Sequence, residues 1–234
     1  FQIPVLPAGY TIGGLLLVNL LSAFITRFRL KSKHAGLLIV HSGLILILVG
    51  EVMTDKLQEE SQLRFAEGES KNYTERIFDY EFAMVEHLDE TDRVVAIGSE
   101  GSEKGDAISN ESSPLRLEVV GYWVNSMLQA NNGALAIADS GMAVDLAVLP
   151  IPLTGKMDER NVPSALVDVY EGEALLGRYL LSGHIAKAES IQLADGTELS
   201  LSLRLERDYL GYSMRLNDFI HEVFPGTKKP SHFE

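Results

Sequence analysis

The first 26 residues contain no charged side chain. A helix needs about 20 predominantly apolar residues to cross the hydrocarbon core of a bilayer, and uncharged runs of that length are rare in water-soluble folds. Four cations follow within seven residues (Arg27, Arg29, Lys31 and Lys33), and the first acidic residue is Glu51. From Glu51 to Glu234, 16 cations face 33 acids, a balance of −17. The net charge of −13 over 234 residues therefore averages segments of quite different character. Read segment by segment, the chain is not a simple soluble globule. The first residue is not Met, so the natural chain is expected to extend upstream.

Two apolar stretches precede Asp55, one from about Pro7 to Thr26 and one from about Ala35 to Met53. A secretory signal peptide carries its positive charge before the apolar run, whereas here the charge follows it. The expectation is two transmembrane α-helices forming an antiparallel hairpin, residues 1–54, with a basic loop at 27–34. Short basic loops stay in the cytoplasm. The second helix then runs outward, and residues 55–234 lie on the exocytoplasmic side.

In the second helix Gly36, Gly43 and Gly50 recur every seven residues. Seven steps of about 100° return to nearly the same face, giving a smooth stripe for close helix packing. Gly13, Gly14, Ser22 and Ala23 of the first helix are candidates for the matching surface. His34 and His41 also lie seven apart, on the face roughly opposite the glycines. An intramembrane imidazole is costly unless something binds it. His41 is therefore either an axial haem ligand or a histidine bonded to a neighbouring helix, for instance through Asn19; the residues leave both readings open. His34 adjoins the basic loop and reads as interfacial. A cytochrome b-type carrier needs pairs of histidines on facing helices, and only one histidine lies deep.

The remaining 180 or so residues are strand-like. Residues 78–86, 93–97 and 115–123 are rich in β-branched and aromatic side chains, and 198–206 alternates polar and apolar. Residues 164–172 and 174–183 read as a hairpin, and 194–196 as a turn. Residues 216–224 fit a strand end or a short helix. The polar stretch 98–114 reads as a flexible loop. The fold class expected for 55–234 is mainly β, sandwich- or barrel-like.

Several chemistries are excluded. There is no cysteine, so no disulfide, thiolate metal site or thiol nucleophile exists. No G-x-S-x-G, H-E-x-x-H or P-loop occurs. The acidic outer region argues against nucleic acid. His87, His184, His221 and His232 are scattered, with no ligand spacing. Trp123, the single tryptophan, reads as core rather than as a cofactor-stacking residue.

Two segments together carry a resemblance: HAGLLIVHSGLILILVGEVMT (34–54) leading to LRFAEGES (63–70), and LNDFIHEVFPGTKKPSHFE (216–234). A membrane helix with V-H-x-G-L, a short acidic glycine turn, a β region and a closing L-x-D-F…P-G-T-x-x-P resemble the ResB/CcsB family. These are membrane subunits of system II cytochrome c biogenesis. The resemblance rests on the two ends of the chain. It implies a non-catalytic or co-catalytic subunit of a cytochrome c haem lyase in a bacterial cytoplasmic membrane. Such a subunit carries haem outward and presents it to apocytochrome c, together with a ResC/CcsA-type partner. The position matching the family's haem-ligating histidine is His41, with His34 second. Haem is then a transient cofactor, with no metal beyond its iron, and the thiol chemistry falls to other proteins. The reading that competes with it is a membrane-anchored scaffold with no cofactor of its own.

Overall fold

A computed structural model describes residues 9–27, 35–89, 91–131, 138–154, 159–224, 226–227 and 230–233. The chain divides into two compact units, Phe1–Glu59 and Glu60–Glu234.

The first unit holds α1 (Gly9–Arg27) and α2 (Ala35–Leu57), which touch one another. Within α2, Ala35–Asp55 is long and apolar enough to cross a membrane, with mean hydropathy 2.1 over 21 residues. The apolar part of α1, Thr11–Thr26, is shorter. Leucine, isoleucine and valine dominate the exposed surface of both helices, as expected where the solvent is hydrocarbon rather than water.

The second unit is mainly β. In chain order its strands are β1 (Ser61–Gln62), β2 (Ser70–His87), β3 (Asp92–Gly98), β4 (Ala107–Ser109), β5 (Leu115–Trp123), β6 (Ser126–Ala130) and β7 (Leu146–Pro150). These are followed by β8 (Ser164–Glu171), β9 (Ala174–Ser182), β10 (Glu189–Gln192), β11 (Glu198–Arg215), β12 (His221–Val223) and β13 (Pro230–Phe233). The largest sheet runs β1-β2-β11-β10, with β3 also paired to β2; a second runs β4-β5-β8-β9; and β6-β7 and β12-β13 form two-stranded sheets. Pairing between the strands is antiparallel throughout.

Alternation decides which side chains face inward. Phe82 and Met84 of β2, with Leu199, Leu201 and Leu203 of β11, meet Leu115, Leu117 and Val119 of β5 and Val167 and Val169 of β8 in one core. The architecture is thus two sheets enclosing a shared apolar layer. A smaller cluster of Ala138, Ala143, Leu166 and Leu180 lies on the other face of the second sheet, and Trp123 packs against it, consistent with its reading as core.

The hairpin expected near 164–183 is β8–β9. It turns at Gly172, whose φ of +60° suits glycine at the first central position of a two-residue turn. The 98–114 stretch differs from its reading as a flexible loop. Ser99 is buried, its hydroxyl bonds to the Tyr122 hydroxyl at 3.1 Å, and residues 107–109 form β4 against β5. The reason is Ile108, the one large apolar side chain in the stretch, which enters the core. Residues 216–220 are irregular and lead into β12.

Candidate functional site

His41 sits on α2, two turns into the apolar span. Its Nδ1 lies 2.9 Å from the Leu37 carbonyl oxygen, one turn earlier. A carbonyl only accepts, so Nδ1 carries the hydrogen, and in the neutral ring the lone pair falls on Nε2. This is the tautomer that second-interaction control of metal-binding histidines selects. Leaving aside the glycines, of which Gly13, Gly43 and Gly50 are also of intermediate exposure, the side chains of intermediate exposure on α2 are Leu38, His41, Ile45 and Leu48; on α1 they are Leu17, Leu20, Ala23 and Phe24. Each set recurs at three or four residues and so marks one sheltered face per helix. His41 belongs to that sheltered face, while Asn19 is exposed on α1.

The glycine stripe faces the other way. A Cβ built at Gly36, Gly43 or Gly50 meets nothing within 4 Å, and the same holds at Gly13 and Gly14. Among the described residues no surface therefore rests on the glycines, and α1 does not supply the matching surface. His34 and the rest of the basic loop (28–34) lie outside the described residues.

In the β unit the polar groups converge on the outer face of the β2–β11 pair. Two adjoining depressions of about 440 and 650 Å³ share Val85, Asp92, Arg204 and Arg207. Arg204 Nε donates to Glu81 Oε1 at 2.9 Å, with Arg204 and Glu81 directly opposite in register. Arg207 donates to Glu75 Oε1 at 3.1 Å, and its guanidinium lies 4.0 Å from the centre of the Tyr73 ring. Arg204 and Arg207 are thus matched by carboxylates, and the tyrosines add flat, partly apolar walls.

Three residues on adjacent strands form a row across this face. His87 Nδ1 lies 2.8 Å from Asp92 Oδ1, and His87 Nε2 lies 3.2 Å from Ser200 Oγ. The carboxylate accepts from Nδ1–H, and Nε2 then accepts from the serine hydroxyl, as in a Ser-His-Asp relay. Acyl transfer also needs backbone N–H groups aimed at the developing oxyanion. Ser200 lies in an interior strand, in register with Val85 on one side and Ser190 on the other, so the main chain beside it belongs to the ladders. We read the row as a surface network. Sequence reasoning did not find it because Ser200 is 113 positions from His87; the only local signal was His87 five residues before Asp92.

His184, Glu189 and Asp139 have structural roles. His184 Nε2 donates to the Ser126 carbonyl at 2.8 Å. Glu189 is buried, and both its carboxylate oxygens accept from the Met142 N–H, at 2.9 and 3.0 Å. Burial pushes its carboxyl above the ordinary carboxylate range, opposed by that N–H and by Lys187. Asp139 is held below the ordinary range, first by the Arg178 backbone N–H. Asp139 and Ser140 fasten the segment 138–145 to the edge of β9, and Glu189 of β10 holds it at Met142.

No group of three or more His, Asp or Glu side chains stands together as a metal site among the described residues. The chain matches no protein-family model, and no curated protein matches it.

Proposed function

We propose that this chain is a ResB/CcsB-type subunit of a cytochrome c assembly machine, which receives haem within the bilayer and passes it to the outer face. The observation that carries the reading is His41: an imidazole set in an apolar span, with Nδ1–H given to a backbone carbonyl and the lone pair therefore on Nε2. Haem, when bound, would supply an iron able to take a neutral imidazole. His41 would hold and orient it, and the apolar side chains of α1 and α2 would keep water away.

The reading includes α1 as a second span, the two helices forming a membrane hairpin around a cytoplasmic basic loop, and the β unit outside. It includes a ResC/CcsA-type partner, for which the open glycine face of α2 provides a contact surface. The β unit then serves apocytochrome c, and its acidic balance favours basic partners. With no cysteine, the chain leaves thiol reduction to another protein.

The test is an absorption spectrum of the chain purified with such a partner. The expected result is a Soret band in the wild type that is lost or shifted in His41→Ala, with cytochrome c maturation falling in parallel. Full haem content and normal maturation in His41→Ala overturn the ligand assignment.

A further inference from the structure

Six large apolar side chains crowd into residues 209–224 and remain 38–62% exposed: Tyr209, Tyr212, Met214, Phe219, Ile220 and Phe224. A strand end in water would present polar groups at most of these places.

Its place in the unit is specific. Tyr209 stands opposite Tyr73 in register, and Gln62 stands opposite Glu75 two residues away. The Gly68 N–H donates to the Leu216 carbonyl at 2.7 Å, and the Leu216 N–H returns to the Glu69 carbonyl at 3.0 Å. The Phe219 N–H donates to Glu67 Oε1 at 3.1 Å. The exposed apolar stretch is thus fastened to residues 62–75, the first part of the β unit after α2. From Leu57, the end of α2, to Ser61, the start of β1, the chain takes four residue steps, which span at most about 14 Å.

We propose that this face, 209–224 with the strand segment it is fastened to, rests in the headgroup layer of the bilayer that α2 enters. The inference rests on α2 being a membrane span. Tyrosine and phenylalanine with half their surface free suit that layer, where the ring is shielded from water and the hydroxyl stays wet. The headgroup zone is about 5–7 Å deep on each side of the hydrocarbon core, within the reach that four residue steps allow. Phosphate headgroups and glycerol ester carbonyls accept from the Tyr212 hydroxyl, while the Tyr209 hydroxyl oxygen already accepts from Arg204 at 3.3 Å.

The absence of native cysteine makes the test direct. Single-cysteine variants Tyr212→Cys, Phe219→Cys, Val49→Cys and Leu175→Cys of the full chain are labelled with a nitroxide. They are placed in phosphatidylcholine–phosphatidylglycerol vesicles, and collision with oxygen is compared with collision with a water-soluble nickel chelate. Val49 lies in α2, and Leu175, 55% exposed against 53% for Phe219, lies on β9 in the other sheet. The expected result is oxygen-dominated collision at 49, nickel-dominated collision at 175, and ratios shifted toward oxygen at 212 and 219. Nickel-dominated collision at 212 and 219 with an oxygen-dominated label at 49 overturns the inference and leaves the span standing. Nickel-dominated collision at 49 overturns the span and this inference with it. Wild-type Trp123 emission in each variant certifies that the β unit is folded.

Discussion

The ion pair between Glu81 and Arg204 gives the sharpest test of how the β unit is held together. The two residues stand opposite one another in β2 and β11, and Nε and Oε1 are 2.9 Å apart. Their shelter is unequal: the Glu81 side chain is 4% exposed and the Arg204 side chain 16%. Removing Arg204 strands a carboxylate with almost no access to water. Arg204→Met keeps the length of the stem and takes away the charge, and it is expected to cost about 3–5 kcal/mol. Glu81→Gln leaves an acceptor for Arg204, which also reaches the Tyr209 hydroxyl at 3.3 Å. Its expected cost is about 1–2 kcal/mol. The double variant carries no unpaired charge, so it should be no less stable than Arg204→Met alone, with a coupling of about 1–3 kcal/mol. The assay is urea unfolding of the full chain in detergent micelles, followed by Trp123 fluorescence. Trp123 is the sole tryptophan and packs in the β unit, so the helices are silent. Two results refute the reasoning: Arg204→Met costing less than Glu81→Gln, or single-variant costs that add to the double within about 0.5 kcal/mol.

Two further outcomes follow from the 138–145 segment. At Gly141 φ is +88°, and a Cβ there would lie 2.7 Å from Glu189 Cδ; Gly141→Ala is therefore expected to cost at least the roughly 1–2 kcal/mol of left-handed backbone strain, measured by the same urea titration, and a neutral result would show that the segment shifts freely. Glu189 binds its proton more tightly folded than unfolded, so between the ordinary carboxylate pKa and its raised folded value the folded state holds the extra proton. Its contribution is full below the unfolded value and lost as pH rises through the folded one. Unfolding midpoints read from about pH 4 to 7 should fall less steeply in Glu189→Gln than in wild type; identical slopes would remove Glu189 as a source of the dependence.

Much of the β unit was legible locally, because strand patterning is a property of neighbouring residues. The alternation at 198–206 marks β11, and the turn at Gly172 marks the β8–β9 hairpin. The 98–114 stretch was misread because its composition is polar while its structure turns on Ile108, whose core place exists only once β5 is beside it. The glycine stripe of α2 was legible as a stripe but not as a surface. Periodicity fixes which residues share a face and leaves open which neighbour that face meets.

The sequence by itself determined that the chain begins uncharged, turns basic and ends acidic, that it lacks thiol chemistry, and that His41 lies within an apolar helix. These are composition and spacing, fixed before any contact forms. Only the tertiary structure decided that Nδ1 of His41 is spent on Leu37, that Glu81 meets Arg204 across 123 positions, and that the apolar stretch 209–224 is fastened to the residues following α2. Each of these depends on helix geometry or strand register, which brings distant positions together and which the local pattern cannot specify.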